Sequence, residues 1–200
     1  MMADRFNMKD HKSTSILSLT APLTDETCEL LAAGDSILLS GTVFTARDAA
    51  HRRLHEAALR GDILPIDLYG QVIFYAAPTP APPGRVIGSI GPTTSYRMDP
   101  FTPKLLMLGL KGMIGKGKRS VEVINAMKHC HAVYFGAIGG VAALMSQCIR
   151  KAEVVAFHDL GPEAIMKLEL VDLPLVVIND IHGGDLFKQT LSGPSFSCSE

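Results

Sequence analysis

The chain has almost no net charge and no long apolar run. Its 19 basic and 20 acidic side chains give a formal charge of -1, whereas domains that bind nucleic-acid backbones normally carry a basic excess. No window reaches the roughly 18 uninterrupted apolar residues of a membrane-spanning helix. The first residues, MMADRFNMKDHKSTS, contain no apolar core of a signal peptide. The sequence therefore argues against nucleic-acid binding, membrane insertion and secretion.

Cysteine is scarce as well, and none of the four cysteines belongs to a C-x-x-C pair. Without such spacing the sequence shows no ligand set for zinc or an iron–sulfur cluster, so we predict no metal ligand in this chain. Cys28, Cys130 and Cys148 lie in apolar helical contexts and are expected to behave as small buried hydrophobes. Cys198 is expected to be an exposed thiol. Unpaired thiols suit a reducing cytosol, so we expect a cytoplasmic protein.

The order of the predicted elements indicates an α/β fold with a mixed sheet. Predicted strands cover residues 15–22, 36–41, 68–78, 85–91, 113–117, 132–140, 154–161, 166–173 and 174–180. Predicted helices cover residues 25–34, 45–61, 99–112, 118–131, 141–153 and 183–189. Strands and helices alternate in the middle and strands adjoin near the ends, which is not the pattern of a purely parallel sheet.

The sequence also predicts where the helices and the domain begin and end. Thr24 is the predicted N-cap of the first helix, and Thr45 or an adjacent residue is expected near the N-cap of the second. Glycines at 34 and 61 should end these two helices. The apolar fraction of 47% can supply the core of one domain. We expect a flexible arm at residues 1–15, one domain at 16–190 and a flexible tail at 191–200.

The first candidate site motif is GTVFTARDAAH, residues 41–51, where a strand leads into a helix. Asp48 suits the first helical turn because an aspartate there favours the helix dipole, but Arg47 does not. An anion held jointly by the helix N-terminus and Arg47 would explain the arginine. The alternative is an Arg47–Asp48 surface pair without function. His51 is the expected exception to a solvated helix face.

Two further motifs place hydroxyl and cationic side chains on turns. In GPTTSYR, residues 91–97, Thr93 and Thr94 offer hydroxyls, and Arg97 can grip a carboxylate with two parallel hydrogen bonds. The alternative is a helix-capping turn with an exposed arginine. The turn GKGKRS, residues 115–120, lacks the spacing of a phosphate loop. Its lysines are either carboxylate contacts or a solvated basic turn.

Two glycine-bearing turns are weaker signals. The backbone amides around Gly139 and Gly140 could face an anion, although close packing explains the glycines equally well. In NDIHGGD, residues 179–185, Asp180 and His182 could form a site pair, but we favour a turn with Asx hydrogen bonds. The three cationic turns follow predicted strands, so we expect them to converge on one edge of the sheet, where α/β folds place ligands.

These motifs resemble one family. GTVFTARDAAHRRL, GPTTSYRMD and IGKGKRS, in this order and at these separations, are similar to the β subunit of class I fumarate hydratases and L-tartrate dehydratases. In single-chain members the same segment is the C-terminal domain. The resemblance covers roughly residues 16–190, and YFGAIGGVAAL and VINDIHGGDLF support it. The fold that it implies is a swivelling β/β/α domain.

The resemblance implies a hydro-lyase subunit that acts on a four-carbon dicarboxylate. The expected reaction is hydration of fumarate to malate; the alternative within enzymes is dehydration of tartrate to oxaloacetate. A non-catalytic dicarboxylate-binding module is the alternative outside enzymes. The family's 4Fe-4S cluster is implied in a partner α subunit and not in this chain. We therefore expect a hetero-oligomer that is inactive without that partner.

The resemblance also implies roles for single residues. Arg47, Arg97 and Lys116 correspond to ligands of the substrate carboxylates, with Thr94 beside them. Thr93 corresponds to the hydroxyl implicated in proton abstraction, and Arg47 is taken as a second catalytic residue. Further candidates are Asp48, His51, Lys118, Gly139 and Gly140. The choice between Lys116 and Lys118 stays open, because they lie two positions apart.

Overall fold

The computed structural model of the protein describes residues 16–137 and 142–191. Its strands are β1 Leu17–Ala21, β2 Ser36–Thr45, β3 Val72–Phe74, β4 Gly112–Gly115, β5 Val133–Ala137, β6 Ile149–Ala156 and β7 Ile165–Asn179. Its α-helices are α1 Asp25–Glu29, α2 Asp48–Arg60, α3 Thr102–Met107, α4 Val121–His129, α5 Ala142–Gln147 and α6 Leu186–Leu191. Short 3-10 helices cover Ser95–Met98 and His158–Glu163.

The strands form one mixed sheet that closes on itself. β2, β3, β4 and β5 pair in parallel in chain order, and β1 pairs in parallel with the first half of β2. β7 runs antiparallel to β2, β5 and β6. Because β7 joins β5 back to β2, the strands β2, β3, β4, β5 and β7 make a closed ring. The predicted α/β class with a mixed sheet is confirmed.

Side chains alternate between two apolar layers along the ring strands. Val72 and Phe74 join one buried cluster, while Ile73 and Tyr75 join the other. In β5, Val133 and Phe135 likewise belong to the first cluster, while Tyr134 between them belongs to the second. The second cluster contains the inner faces of α2, α3 and α4, so these helices cover one face of the sheet. Within the described ranges, no helix has the length and apolarity needed to cross a bilayer.

Several predicted boundaries are confirmed, and the cap of α2 lies two residues beyond Thr45. The Thr24 hydroxyl accepts a hydrogen bond from the Thr27 amide and caps α1, and α2 ends at Gly61 with the predicted left-handed backbone. Thr45 does not cap α2, because it is the last residue of β2 and its hydroxyl accepts from the Met166 amide at 3.0 Å. The residue at the N-cap of α2 is Arg47, which makes no side-chain cap bond.

Other predicted elements differ, two of them because strand pairing overrides local propensity. The predicted strand at 36–41 continues to residue 45, and the two predicted strands at 166–180 are one strand, β7. The first helix ends at residue 29, before the glycine at 34. Residues 149–153, predicted as helix, belong to β6 because they pair with β7. Residues 85–91, predicted as a strand, have no strand structure.

Candidate functional site

The cationic turns lie where the parallel strands end. β2 leads to Arg47 and β4 leads to Lys116, so both follow carboxyl ends of parallel strands, one on each side of β3. The threonine turn follows no strand but is bound to this edge. The Thr93 amide donates to the Tyr75 carbonyl just beyond β3 at 2.6 Å, and the Lys116 amide donates to the Thr93 carbonyl at 3.3 Å. The expected convergence of the three turns is therefore observed.

Asp48 brings the two arginines together. Arg97 Nε lies 2.8 Å from Asp48 Oδ1, and Arg47 Nη2 lies 3.6 Å from Asp48 Oδ2. Both guanidinium groups therefore reach the same carboxylate from different turns. The Arg47–Asp48 pair that we weighed as an alternative exists, but it is three-quarters buried and shared with Arg97. Among the described residues, none forms a hydrogen bond with the terminal nitrogens of Arg97.

A second carboxylate lies at the N-terminus of α2. Glu163 Oε2 accepts from the Ala49 amide at 3.1 Å, and Oε1 lies 3.6 Å from Arg47 Nη2. Because the Arg47 side chain cannot cap the helix, Glu163 supplies the missing acceptor from a distant 3-10 helix. The amides of this helix terminus therefore already bind one carboxylate in the folded chain.

His51 is buried beneath this cluster. Its Nδ1 lies 3.1 Å from the Arg47 carbonyl, and its ring packs edge-on against Tyr75 with 5.0 Å between centroids. Burial lowers the pKa of His51 to about 4, so the ring is neutral at physiological pH. The prediction that His51 departs from the solvated face of its helix is confirmed.

Three buried polar atoms of this cluster have no hydrogen-bond partner among the described residues. They are Arg47 Nε, Asp48 Oδ2 and His51 Nε2. Buried polar groups in folded proteins nearly always have partners, and each exception calls for a ligand, a water or strain. They lie within five residues at the start of α2, so the described residues leave polar groups unsatisfied at this point of the candidate site.

The two candidate lysines differ in their surroundings. Lys116 pairs with Thr94 in an isolated parallel bridge, and its carbonyl accepts from the Ser95 amide at 2.9 Å. Lys118 Nζ lies 5.9 Å from the centroid of the Phe187 ring. Both side chains are exposed. The backbone thus ties Lys116 to the threonine turn, while the side chain of Lys118 is directed to another element.

Sequence reasoning missed the role of Arg119. Its side chain is fully buried, and Nε lies 2.7 Å from Asp99 Oδ1. Its guanidinium lies 5.3 Å and 5.2 Å from the ring centroids of Tyr75 and Tyr134. We treated residues 115–120 as one basic turn, because nothing in the local pattern distinguishes the buried cation from its two exposed neighbours.

The weaker motifs have separate outcomes. Gly139 and Gly140 lie outside the described residues, so their predicted role stays a prediction. The favoured turn at residues 179–185 is confirmed. Asp180 Oδ1 accepts from the amides of His182 and Gly184 at 2.9 and 2.7 Å, and Oδ2 accepts from the Ala33 amide at 2.8 Å.

The described cysteines lie apart from other possible metal ligands. Burial raises the pKa of the thiols of Cys28, Cys130 and Cys148, which disfavours the thiolates that ligate iron. Across residues 16–137 and 142–191, no group of three or more His, Cys, Asp or Glu side chains could hold a metal ion.

The closed mixed sheet and the polar cluster at its strand ends define an α/β domain with a candidate anion site. Comparison with known proteins is more specific. Residues 2–190 match the family described as "Fumarase C-terminus", and the chain belongs to this family. The resemblance in the motifs is thereby confirmed. The predicted arm and tail, residues 1–15 and 191–200, stay predictions.

The relatives are of two kinds, proteins much longer than this chain and a protein of similar length. The chain is 41% identical over 156 residues to "Fumarate hydratase class I, aerobic" of Salmonella typhimurium, covering 77% of this chain and 27% of the relative. It is 37% identical over 161 residues to "Fumarate hydratase 2" of Leishmania major, covering 80% of this chain and 28% of the relative. It is 35% identical over 173 residues to "Putative L(+)-tartrate dehydratase subunit beta" of Methanocaldococcus jannaschii, covering 84% and 89%. The chain thus spans little more than a quarter of the two fumarate hydratases.

Proposed function

We propose that this chain is the β subunit of an iron–sulfur hydro-lyase that hydrates fumarate to malate and that it supplies the grip on the substrate carboxylates. The observation that carries the proposal is the cluster at the start of α2. Two guanidinium groups meet there beside three buried polar atoms without partners. Arginines grip carboxylates through paired hydrogen bonds, and unpartnered buried groups mark where such a ligand completes the site.

The chemistry suits this arrangement of side chains. Removing the proton beside a carboxylate creates a dianion, and cations that contact this charge stabilise the transition state more than the substrate. In this proposal Arg47, Arg97 and Lys116 hold the carboxylates, with the Thr94 hydroxyl beside them. Thr93 carries the hydroxyl for proton transfer. Its backbone is held on both sides, by Tyr75 and by Lys116, which fixes its position.

We infer a partner subunit from the ligands that this chain lacks among its described residues and from the length of its relatives. Its described cysteines are poor iron ligands, and the fumarate hydratases to which it is similar extend far beyond the matched segment. We assign the cluster to a separate α subunit and expect the active enzyme to be a hetero-oligomer. The relative from Methanocaldococcus jannaschii, named as a β subunit and matched over 89% of its length, supports this division.

Tartrate is the second candidate substrate, and the name of that same relative favours it. Fumarate hydration and tartrate dehydration need the same two-carboxylate grip. The substrates are separated by pocket contacts to hydroxyl groups, which the α subunit can supply.

The decisive experiment is anaerobic co-expression of this chain with a cluster-bearing α subunit, followed by assays with fumarate and L-tartrate. We expect the complex to hydrate fumarate and this chain alone to form no product. Turnover by the purified chain without partner or iron would contradict the assignment. Turnover of tartrate alone identifies the second candidate. Binding of four-carbon diacids without turnover of any by the complex identifies a non-catalytic module instead.

A further inference from the structure

The buried side chain of Tyr134 contacts two turns of the candidate site. It lies on β5 in the buried layer beneath α3 and α4. Its hydroxyl donates to the Gly117 carbonyl at 2.9 Å and lies 2.8 Å from Ser95 Oγ. A phenol has one proton to donate, so the Ser95 hydroxyl is the donor in the second bond. One buried oxygen therefore holds both the turn that carries Thr93 and Arg97 and the turn that carries Lys116.

Arg119 holds this tyrosine in place. Its guanidinium lies between the rings of Tyr75 and Tyr134, and its nitrogens bond to Asp99, to Thr102 Oγ1 at 2.9 Å and to the Tyr75 hydroxyl at 3.1 Å. A fully buried cation persists only when it is paired and hydrogen-bonded, and this one is. The tyrosine is therefore packed against a rigid group that cannot move aside without breaking its ion pair and hydrogen bonds.

We infer that Tyr134 is a positioning residue, whose hydroxyl fixes the spacing between the Thr93–Arg97 turn and the Lys116 turn. This inference rests on the proposed function, because the spacing matters only if both turns grip one ligand. Two backbone bonds also join these turns, Lys116–Thr93 at 3.3 Å and Ser95–Lys116 at 2.9 Å. Asp99, two residues beyond Arg97, ties the same two segments through its ion pair with Arg119. The Tyr134 hydroxyl bonds directly to both turns, so its loss should loosen their spacing.

The test is Tyr134→Phe, with Tyr75→Phe as the matched control. Both substitutions delete one buried hydroxyl from the same stack around Arg119, but only the first breaks contacts with Ser95 and Gly117. Hydrogen exchange at the Ser95 and Lys116 amides is measured in the isolated full chain, relative to the core amide of Val177. For Tyr134→Phe we expect about tenfold faster relative exchange at both amides, and for Tyr75→Phe a change below about twofold.

A kinetic measurement on the complex with the α subunit completes the test. We expect Tyr134→Phe to raise the KM for the four-carbon substrate by about tenfold, since a loosened grip weakens binding, while Tyr75→Phe changes KM by less than about twofold. The inference is overturned if Tyr134→Phe leaves relative exchange unchanged or if Tyr75→Phe accelerates it equally. Inactivity of the unmodified complex on every diacid counts against the proposed function, and the exchange data still decide the role of Tyr134.

Discussion

Arg97 and Arg47 come from turns 50 positions apart, yet both lie beside Asp48. The carboxylate of Asp48 contacts both arginines and keeps two like charges at close range. Asp48 contacts Arg97 through Nε, so the two terminal nitrogens of that guanidinium remain available to a carboxylate of a ligand.

Substitution of Arg97 by Lys keeps the charge but removes the planar fork. We expect turnover of the complex to fall by roughly 10²-fold or more, because a point charge cannot reproduce paired hydrogen bonds to a carboxylate. The measurement is kcat with fumarate. Arg52→Lys, an exposed position on α2, is the control and should leave kcat unchanged. An unchanged rate for Arg97→Lys removes this residue from the site.

The buried His51 makes stability depend on pH. Its folded pKa of about 4 lies below the unfolded value, so the unfolded chain takes up the proton first as pH falls. The stabilising contribution is complete above about pH 6.5 and is lost toward pH 4, which amounts to about 3 kcal/mol. Asp48 and Arg119 are its charged neighbours.

Urea unfolding at several pH values checks this expectation. His51→Gln should flatten the fall in unfolding free energy between pH 6.5 and 4. The control is His55→Gln, one turn further along α2, which keeps the buried ring and should retain the slope. Equal slopes for the wild type and His51→Gln would show that other groups carry the acid sensitivity.

At the scale of elements, the two ends of β4 serve different purposes. At its carboxyl end the backbone of Gly115 touches the threonine turn, and a Cβ there would overlap Ser95 Oγ. At its start, a Cβ on Gly112 would meet the Val72 side chain at 2.8 Å. Both positions are crowded, but only the second lies away from the site.

Alanine substitution of each glycine tests whether crowding at the carboxyl end of β4 affects catalysis and crowding at its start affects only stability. Gly115→Ala should displace the threonine turn from the Lys116 turn and lower kcat/KM of the complex by about tenfold or more, as misplacement of substrate ligands does. Gly112→Ala should lower the unfolding free energy by about 1–3 kcal/mol through overpacking and leave kcat/KM unchanged. Steady-state kinetics and urea unfolding of both variants measure this. Equal kinetic effects would show that crowding anywhere in β4 disturbs the site.

The sequence predicts the ends of elements better than their pairing. Thr24 and Gly61 act locally through a cap and a left-handed backbone, so their effects can be predicted from neighbouring residues. The identity of residues 149–153 as strand depends on β7, which no local pattern reveals. The candidate site residues were singled out because their chemistry is unusual for their positions, and their roles stay predictions. Arg119 and Tyr134 were missed because burial, a property of the whole fold, gives them their role.

At the scale of the whole molecule, ligand binding and folding are linked. If the isolated chain grips a four-carbon diacid, that ligand raises its unfolding free energy by about 2.7 kcal/mol at a concentration 100-fold above Kd. Butyrate, with one carboxylate, should stabilise the chain far less than L-malate at equal ionic strength. Thermal unfolding of the wild type and of Arg97→Gln measures the effect. Equal stabilisation by both acids, or in both proteins, contradicts a two-carboxylate grip.

The position of β7 has a consequence for how the protein is made. This strand closes the ring, and its partners include residues far earlier in the chain, such as Ser40, which bonds to Asp172 across 132 positions. A ribosome must therefore deliver residue 165 and those after it before β2 and β5 acquire their last neighbour. Until then the nascent chain presents open strand edges, which bind chaperones or aggregate. The sheet edge that carries the arginines is therefore complete only once β7 has closed the ring.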